Sequence, residues 1–285
     1  MRWPLGLHWA MRAYHEVRPL GCSYVWVNAD TLGDPAYAND TRALVESGLD
    51  FVLEIKFNTE ARLTNQGGCW ERDCRNVRGL LRSLGLLSRM IGVQIDDEFY
   101  SNFAMGAGHW PRELWPSVPR AARLRWHDLL PEVGEHVERR ITDLRQAFGS
   151  DLPAAGIGMA ETGGVIPPRT RGLDWWGVNG YLGRRRPADV HRLYRDVRRV
   201  TSLPLMPVLG TYQDATTPLA PLATMAAAYL PVLEEHASCI WAVGLFCLHH
   251  PSQWPGAAHV QGRGLLELPE DYRRGVRWLA DVYGR

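Results

Sequence analysis

The chain has 285 residues, among them 12 Trp and 10 Tyr, and its formal net charge is +1. A charge so close to balance, without a block of basic residues, argues against nucleic acid as the main partner. No apolar run reaches the roughly 18 residues that a membrane-spanning helix needs, and the length suits one large domain.

The start of the chain shows no signal peptide, because a strand-like segment follows Met1 almost at once. A leader that had been removed would leave the same sequence, so the compartment stays open, and between secreted and cytoplasmic we favour secreted. We expect a monomer or a weak homo-oligomer.

The cysteines and histidines do not form a metal-binding pattern. Cys69 and Cys74 flank a short loop, which fits either a local disulfide or two free thiols. His249 and His250 are adjacent, so their side chains would point apart in a strand, and no Cys/His spacing resembles a zinc site. We therefore expect neither a metal nor a cofactor.

Apolar strand-like runs alternate with amphipathic helical runs, a pattern typical of repeated βα units around a parallel sheet. Strands are predicted at residues 4–9, 23–28, 51–57, 91–98, 153–161, 173–181, 205–212 and 240–249. Helices are predicted between them, for instance at 77–89, 122–148, 187–200, 221–237 and 269–283. No linker or change of composition interrupts the pattern, so we predict an α/β fold, a single (β/α)8 TIM barrel spanning residues 1–285.

The fourth predicted strand has an apolar row and a polar row, because alternate side chains of an extended segment share a face. The apolar row should face the covering helices: Ile91, Val93 and Ile95. The polar row should face the barrel interior: Gly92, Gln94, Asp96 and Glu98. Buried unpaired charges are costly, so this row fits a strand whose C-terminal end opens into a site. Alternatively, Asp96 and Glu98 belong to a solvated loop.

Polar and aromatic residues also gather at the ends of other predicted strands, where the loops of a barrel build its active site. On the third strand, Glu54, Lys56 and Asn58 should face inward, with Phe51, Leu53, Ile55 and Phe57 facing the helices; on the sixth, Gly177, Asn179 and Tyr181 share a face. A sugar-stacking wall is expected from Trp110, Trp115, Trp254 or Tyr212. The predicted substrate-binding residues are His8, Lys56, Asn179, Glu161, Tyr212, Gln213, Asp214, His249 and Trp254.

This set of residues suits hydrolysis of a glycosidic bond, which needs an acid for the leaving oxygen and a second group for the oxocarbenium-like centre. Partial burial beside Phe99 and Tyr100 would raise the pKa of Glu98, as a general acid requires. Asp96 could tune that pKa. A second catalytic carboxylate is less plain, with Asp214 and Glu161 as the candidates.

The segment Gly-Val-Gln-Ile-Asp-Asp-Glu that ends at Glu98 resembles the DGxDxDxE strand-four motif of family 18 glycoside hydrolases, the chitinases and endo-β-N-acetylglucosaminidases. The resemblance covers about eight residues and implies a substrate-assisted reaction in which the sugar's 2-acetamido group attacks. It implies that Glu98 is the general acid/base, that Asp96 orients the acetamide and that Tyr181 helps to hold it. Ile91 and Gln94 stand where the motif has its first two Asp residues.

The sequence therefore predicts a glycosidase acting on an oligo- or polysaccharide, and two other classes of protein remain as alternatives. One is a sugar-directed lyase or aldolase-type barrel with Lys56 as base or Schiff-base amine, although Glu54 would keep that amine charged. The other is a catalytically silent carbohydrate-binding barrel. The expected partner in each case is a carbohydrate, with no nucleic acid and no membrane span.

Overall fold

The computed structural model describes residues 2–8, 10–55, 70–97, 130–162, 171–182, 185–214, 218–249 and 262–284, without the side chains of 70–72, 96, 97, 130–134, 136 and 162. Eight parallel strands close into a barrel in the order β1-β2-β3-β4-β5-β6-β7-β9. They are β1 (Leu5–Leu7), β2 (Tyr24–Asn28), β3 (Asp50–Ile55), β4 (Met90–Asp97), β5 (Ile157–Thr162), β6 (Trp175–Asn179), β7 (Leu205–Gly210) and β9 (Val243–Phe246). The predicted (β/α)8 TIM barrel is confirmed.

Two further strands form a small antiparallel ribbon beyond the barrel strands. They are β8 (Gln213–Asp214) and β10 (Gly262–Arg263), with Asp214 opposite Gly262. The ribbon joins the segment after β7 to the segment after β9, so it lies at the C-terminal end of the barrel, where the loops of such folds carry their sites.

The helices of the described residues are Tyr14–Val17, Ala29–Leu32, Ala38–Ser47, Trp70–Ser83, Leu130–Phe148, Pro187–Val200, Leu222–Glu235 and Glu270–Tyr283. The helix predicted at 77–89 is displaced toward the N-terminus, because Gly85 takes a left-handed conformation with φ of 68° that stops it. A short 3-10 turn, Leu87–Arg89, then leads into β4. No helix in these ranges has the length and apolar character to cross a membrane.

Alternation along the strands divides the apolar side chains between two cores. The larger core lies between barrel and helices and contains Phe51, Leu53 and Ile55 of β3 and Val93 and Ile95 of β4. The smaller core fills the barrel interior, and its buried members are Tyr24, Trp26, Val52, Trp175, Met206, Val208 and Ala242. The sequence assignment of outward and inward rows on β3 and most of β4 is therefore confirmed over the described side chains.

Glycines make room for the large rings of the inner core. A Cβ added to Gly158 would lie 2.0 Å from the indole of Trp175, and one added to Gly244 would lie 2.6 Å from that of Trp26. Real Cβ atoms never approach so closely, so these strands need glycine where the rings lie across them. Glycines of other strands thus make the space that the rings of Trp26 and Trp175 occupy inside the barrel.

Two irregularities in β4 change its pairing with its neighbours. Phe51 pairs with Met90 and Val52 pairs with Gly92, so Ile91 has no pairing partner on β3. Ile91 packs against the inner core, and the prediction that it faces the helices is wrong. Farther along, Gln94 pairs with Gly158 but Asp97 pairs with Ala160, where a regular ladder would pair Asp96. Such bulges change the direction in which the following side chains point. The rule that alternate residues share a face, applied from Gln94 onward, therefore no longer matches the observed pairing of β4 with β5.

Candidate active site

A buried hydrogen bond joins β2 to β4 inside the barrel. Trp26 Nε1 donates to Gln94 Oε1 at 3.0 Å, and both side chains are buried. The amide nitrogen of Gln94 has no hydrogen-bond partner among the described residues. Glu54 lies beside Gln94 in the β3–β4 register and on the same face as the inner-core residue Val52. The inward placement of Gly92, Gln94 and Glu54 is as predicted.

His8, just beyond the end of β1, lies over the same tryptophan. Its ring stacks on that of Trp26, with centroids 3.5 Å apart and planes 22° from parallel. The centroids of the His8 and Phe246 rings are 5.7 Å apart, and these two rings meet edge to face. His8 is 5% exposed, so the ring is held at the top of the inner core. This position suits contact with a ligand that enters the mouth from the C-terminal side.

Three aromatic rings form a group at the mouth, which we call the mouth triad: Tyr181, Tyr212 and Phe246. Tyr181 and Tyr212 are perpendicular with centroids 5.6 Å apart, and each lies 5.2 Å from Phe246. They follow or end β6, β7 and β9, which brings together residues far apart in sequence. Aromatic faces at a strand-end mouth are what a site for a sugar ring uses.

Asn179, the last residue of β6, lies below the mouth triad and is 1% exposed. It pairs in register with Thr162 of β5 and Val208 of β7, and it alternates with Gly177 and the inner-core Trp175. The side chain is therefore directed into the lumen, as the sequence predicts. A buried amide can both donate to and accept from a polar ligand.

A second polar cluster lies beside β9. His249 Nδ1 lies 2.8 Å from Glu267 Oε1, and the backbone N–H of Gly264 donates to Glu267 Oε2 at 2.7 Å. Burial opposes ionisation of Glu267, but the bonds from His249 and Gly264 lower its pKa below the ordinary glutamate value. The carboxylate is therefore ionised near neutral pH, and Nδ1 of His249 carries the proton that joins them.

Asp214 lies near this cluster on the ribbon strand β8. Burial raises the pKa of the Cys247 thiol, and the charges of Glu267 and Asp214 raise it further. Cys247 directly follows the mouth-triad residue Phe246, and its backbone carbonyl accepts a hydrogen bond from the N–H of Leu265, two residues before Glu267. The carboxylates of Glu267 and Asp214 thus give the β9 side of the mouth negative charge. The half-buried Gln213 precedes Asp214 on β8.

Glu161 occupies a different position from the other predicted residues. It alternates on β5 with Ile157 and Met159, and it pairs with Val178, all three of which belong to the core between barrel and helices. Its register position is therefore on the outer face of the barrel, and it is 2% exposed. That position favours a structural over a catalytic carboxylate.

Several predicted residues fall outside the described part of the chain. These are Glu98, Phe99, Tyr100, Lys56, Phe57, Asn58, Trp110, Trp115, Trp254, His250 and Cys69; Asp96 is described for its backbone alone. Their predicted roles, and the choice between a disulfide and free thiols at Cys69 and Cys74, stay predictions. Within the described ranges, no group of three His, Cys, Asp or Glu side chains could hold a metal ion.

The sequence analysis missed Trp26, Phe246 and Glu267 as parts of the site. A signal for Trp26 was present, because the run Tyr24–Asn28 places Tyr24, Trp26 and Asn28 on one face. Glu267 gave no such signal, since its bond to His249 spans 18 residues and depends on the path of the chain after β9.

Comparison with known proteins supports the fold. No protein-family model matches the sequence, and no curated protein matches it. Among solved structures, a β-glucosidase has a TM-score of 0.59 at 14% identity, covering 96% of this chain and 89% of its own. A GH113 β-1,4-mannanase has a TM-score of 0.51 at 11% identity, covering 99% of both chains. A fungal endo-β-N-acetylglucosaminidase of family 18 has a TM-score of 0.50 at 14% identity, covering 98% of both. At such identities the likeness shows a shared (β/α)8 barrel fold.

Proposed function

We propose that this protein is a glycoside hydrolase acting on an oligo- or polysaccharide, with Glu98 as general acid/base. The observation that carries the proposal is the mouth triad of Tyr181, Tyr212 and Phe246, which stands at the C-terminal end of the barrel above the buried amides of Gln94 and Asn179. Strand β4 ends at this mouth, and Glu98 directly follows it. The barrel fold shared with structures named as glycosidases supports the same class.

The proposed reaction is substrate-assisted, as the resemblance of the β4 segment to family 18 implies. Glu98 donates its proton to the glycosidic oxygen while the bond from that oxygen to C1 breaks. The oxygen of the sugar's 2-acetamido group forms a bond to C1, and Asp96 holds that group in place. Water then attacks C1 while the bond from C1 to the acetamido oxygen breaks, and the Glu98 carboxylate accepts the water's proton, which restores the starting acid.

The experiment compares hydrolysis of oligosaccharides, with and without 2-acetamido groups, by the wild type and Glu98→Gln. Loss of the acid should lower turnover about 10²- to 10⁴-fold on substrates with a poor leaving group. Aryl glycosides with good leaving groups need little protonation and should be affected much less. Equal turnover by Glu98→Gln on a poor leaving group would contradict the role of Glu98, and binding without hydrolysis by the wild type would favour a silent carbohydrate-binding barrel.

Asp96 and Asp97 provide matched variants for the orienting role. If Asp96 holds the acetamide, Asp96→Asn should stay severe whatever the leaving group, and Asp97→Asn should be mild. In β4 it is Asp97, and not Asp96, that pairs with Ala160, so comparing the two variants tests which of the two carboxylates acts on the substrate. A severe Asp97→Asn with a mild Asp96→Asn would overturn the assignment of Asp96.

A further inference from the structure

The inward faces of β2 and β3 carry two polar residues near their C-terminal ends, which we call the polar pair: Asn28 and Glu54. On β2, Asn28 continues the inward row that contains Trp26. On β3, Glu54 continues the inward row that contains Val52. Asn28 and Glu54 are partners in the β2–β3 register, and neighbouring strands lie about 4.8 Å apart, so the two side chains leave the barrel wall side by side.

The polar pair is reached from the mouth of the barrel. Asn28 and Glu54 are partly exposed. Val52 and Trp26, which precede them in the same inward rows, are buried. An inward-facing side chain with buried residues below it meets solvent through the C-terminal opening of the barrel. Gln94, which follows Glu54 in the register, is fully buried, so the opening at this level lies over β2 and β3.

The two side chains offer complementary hydrogen-bonding groups. Asn28 Oδ1 accepts from the backbone N–H of Asp30 at 2.9 Å, which sets the orientation of the amide and leaves Nδ2 as a donor. The carboxylate of Glu54 can only accept, and because its Oε1 is enclosed, Oε2 is the oxygen that a ligand would contact. A donor beside an acceptor suits two adjacent hydroxyl groups of a sugar, one of which accepts while the other donates.

The polar pair lies across the barrel from the tyrosines of the mouth triad. In the closed order of the eight barrel strands, β2 is four positions from β6, and β3 is four positions from β7. Tyr181 follows β6 and Tyr212 follows β7, so their rings stand on the far side of the mouth from the polar pair. A sugar that fills the mouth would therefore contact aromatic rings on one side and the polar pair on the other.

Given the function proposed above, on which this assignment rests, we infer that the polar pair binds two adjacent hydroxyl groups of the sugar ring in the mouth. Asn28 donates to one hydroxyl oxygen, and the other hydroxyl donates to Glu54. A 2-acetamido ring carries one such pair of hydroxyls, on its third and fourth carbons. In a chain linked through either of these oxygens, only the ring at the non-reducing end keeps both, so the enzyme releases single terminal units.

The test is titration calorimetry of the full chain with methyl N-acetyl-β-glucosaminide and its 3-deoxy, 4-deoxy and 6-deoxy analogues. A methyl glycoside has a poor leaving group, so binding can be measured with little turnover. Loss of the 3- or 4-hydroxyl should raise Kd about 5- to 100-fold, because each gives up one hydrogen bond, and loss of the 6-hydroxyl should raise it less than about 2-fold. Absence of saturable binding, or a 6-hydroxyl as important as the other two, overturns the proposal.

Two substitutions assign the hydroxyls to the polar pair. Asn28→Asp keeps the acceptor for the Asp30 N–H but removes the Nδ2 donor, and Glu54→Gln keeps the side-chain size but removes the charge. Each should weaken binding of the parent glycoside about 5- to 100-fold and reduce the penalty of one deoxy analogue to less than about 2-fold. The control is Asn39→Asp, at an exposed asparagine of the helix Ala38–Ser47, which should bind like the wild type.

Binding and hydrolysis together separate this proposal from the proposed function. Variants of the polar pair that keep both deoxy penalties overturn it, even where the wild type hydrolyses oligosaccharides and the proposed function stands. The expected binding pattern without hydrolysis by the wild type supports the polar pair and contradicts the hydrolase. Hydrolysis of an N-acetylglucosamine hexasaccharide should release single units, and release of larger fragments overturns the proposal. If a variant does not fold, the deoxy series on the wild type decides.

Discussion

Trp26 and Gln94 are joined inside the barrel by a hydrogen bond of 3.0 Å from the indole Nε1 to the amide Oε1. The bond links β2 to β4, across β3, and orients the strand that leads to Asp96 and Glu98. Through this bond the Gln94 amide oxygen, buried in the largely apolar lumen, obtains a donor, as most buried polar groups do.

We expect Gln94→Met to lower the free energy of unfolding by about 1–3 kcal/mol, because it leaves the buried Trp26 N–H without its acceptor. Urea unfolding measures the change. A double-mutant cycle with Trp26→Phe isolates the pair and should give a coupling of about 0.5–1.5 kcal/mol. A coupling near zero would mean that the bond does not contribute to stability.

Gly158 and Gly79 offer a contrasting pair of glycine substitutions. Gly158→Ala would bring a Cβ to 2.0 Å from the Trp175 ring, so we expect destabilisation by about 1–3 kcal/mol or more as the inner core rearranges. Gly79 lies inside the helix Trp70–Ser83 with no described atom within 4 Å of the added Cβ. Gly79→Ala should stabilise by about 0.5–1 kcal/mol. Urea midpoints of the two variants moving in the same direction would contradict the packing described for β5.

The Glu267–His249 pair should make stability depend on pH in the acid range. The pKa of Glu267 is lower in the folded state than the ordinary value of about 4.3. Its contribution is therefore fully present above pH 4.3 and is lost as pH falls through the lower folded value. Glu267→Gln should cost about 1–3 kcal/mol at pH 7 and progressively less below pH 4.3.

Urea unfolding of wild type and Glu267→Gln at several pH values between 3 and 7 measures this difference. The control is Glu46→Gln, which changes an exposed glutamate of the helix Ala38–Ser47 and should cost little. A constant difference between wild type and Glu267→Gln at every pH would show that the pair does not titrate as described.

Tyr181 and Tyr212 are neighbours in the mouth triad, and the sequence predicts different roles for them, with Tyr181 helping to hold the acetamide and Tyr212 stacking on a sugar ring. Tyr181→Phe keeps the ring against Phe246 but removes the hydroxyl proposed to hold the acetamide, so kcat should fall about 10²- to 10³-fold, as for loss of one transition-state donor. Tyr212→Phe keeps the stacking surface and should change kcat by no more than about 3-fold, since a ring that only stacks contributes through its face. Steady-state kinetics on one substrate compares them, and equal losses would remove the special role of Tyr181.

The sequence by itself determined the fold class and most of the division between inward and outward faces. Alternation follows from strand geometry alone, so Leu53 and Ile55 could be assigned to the helix-facing core and Gln94 and Asn179 to the lumen before any contact was known. The helix at Pro187–Val200 was also predicted with its observed bounds, because Pro187 marks its start and a charged amphipathic run follows.

Only the tertiary structure decided where that alternation is interrupted and which distant residues meet. The slips in β4 at Ile91 and between Gln94 and Asp97 depend on pairing with β3 and β5, which no local pattern encodes. The mouth triad and the pairing of His249 with Glu267 depend on barrel closure and on the path of the chain after β9. Propensity and periodicity act over neighbouring residues, whereas the partners of a site are chosen by packing between segments far apart in the chain.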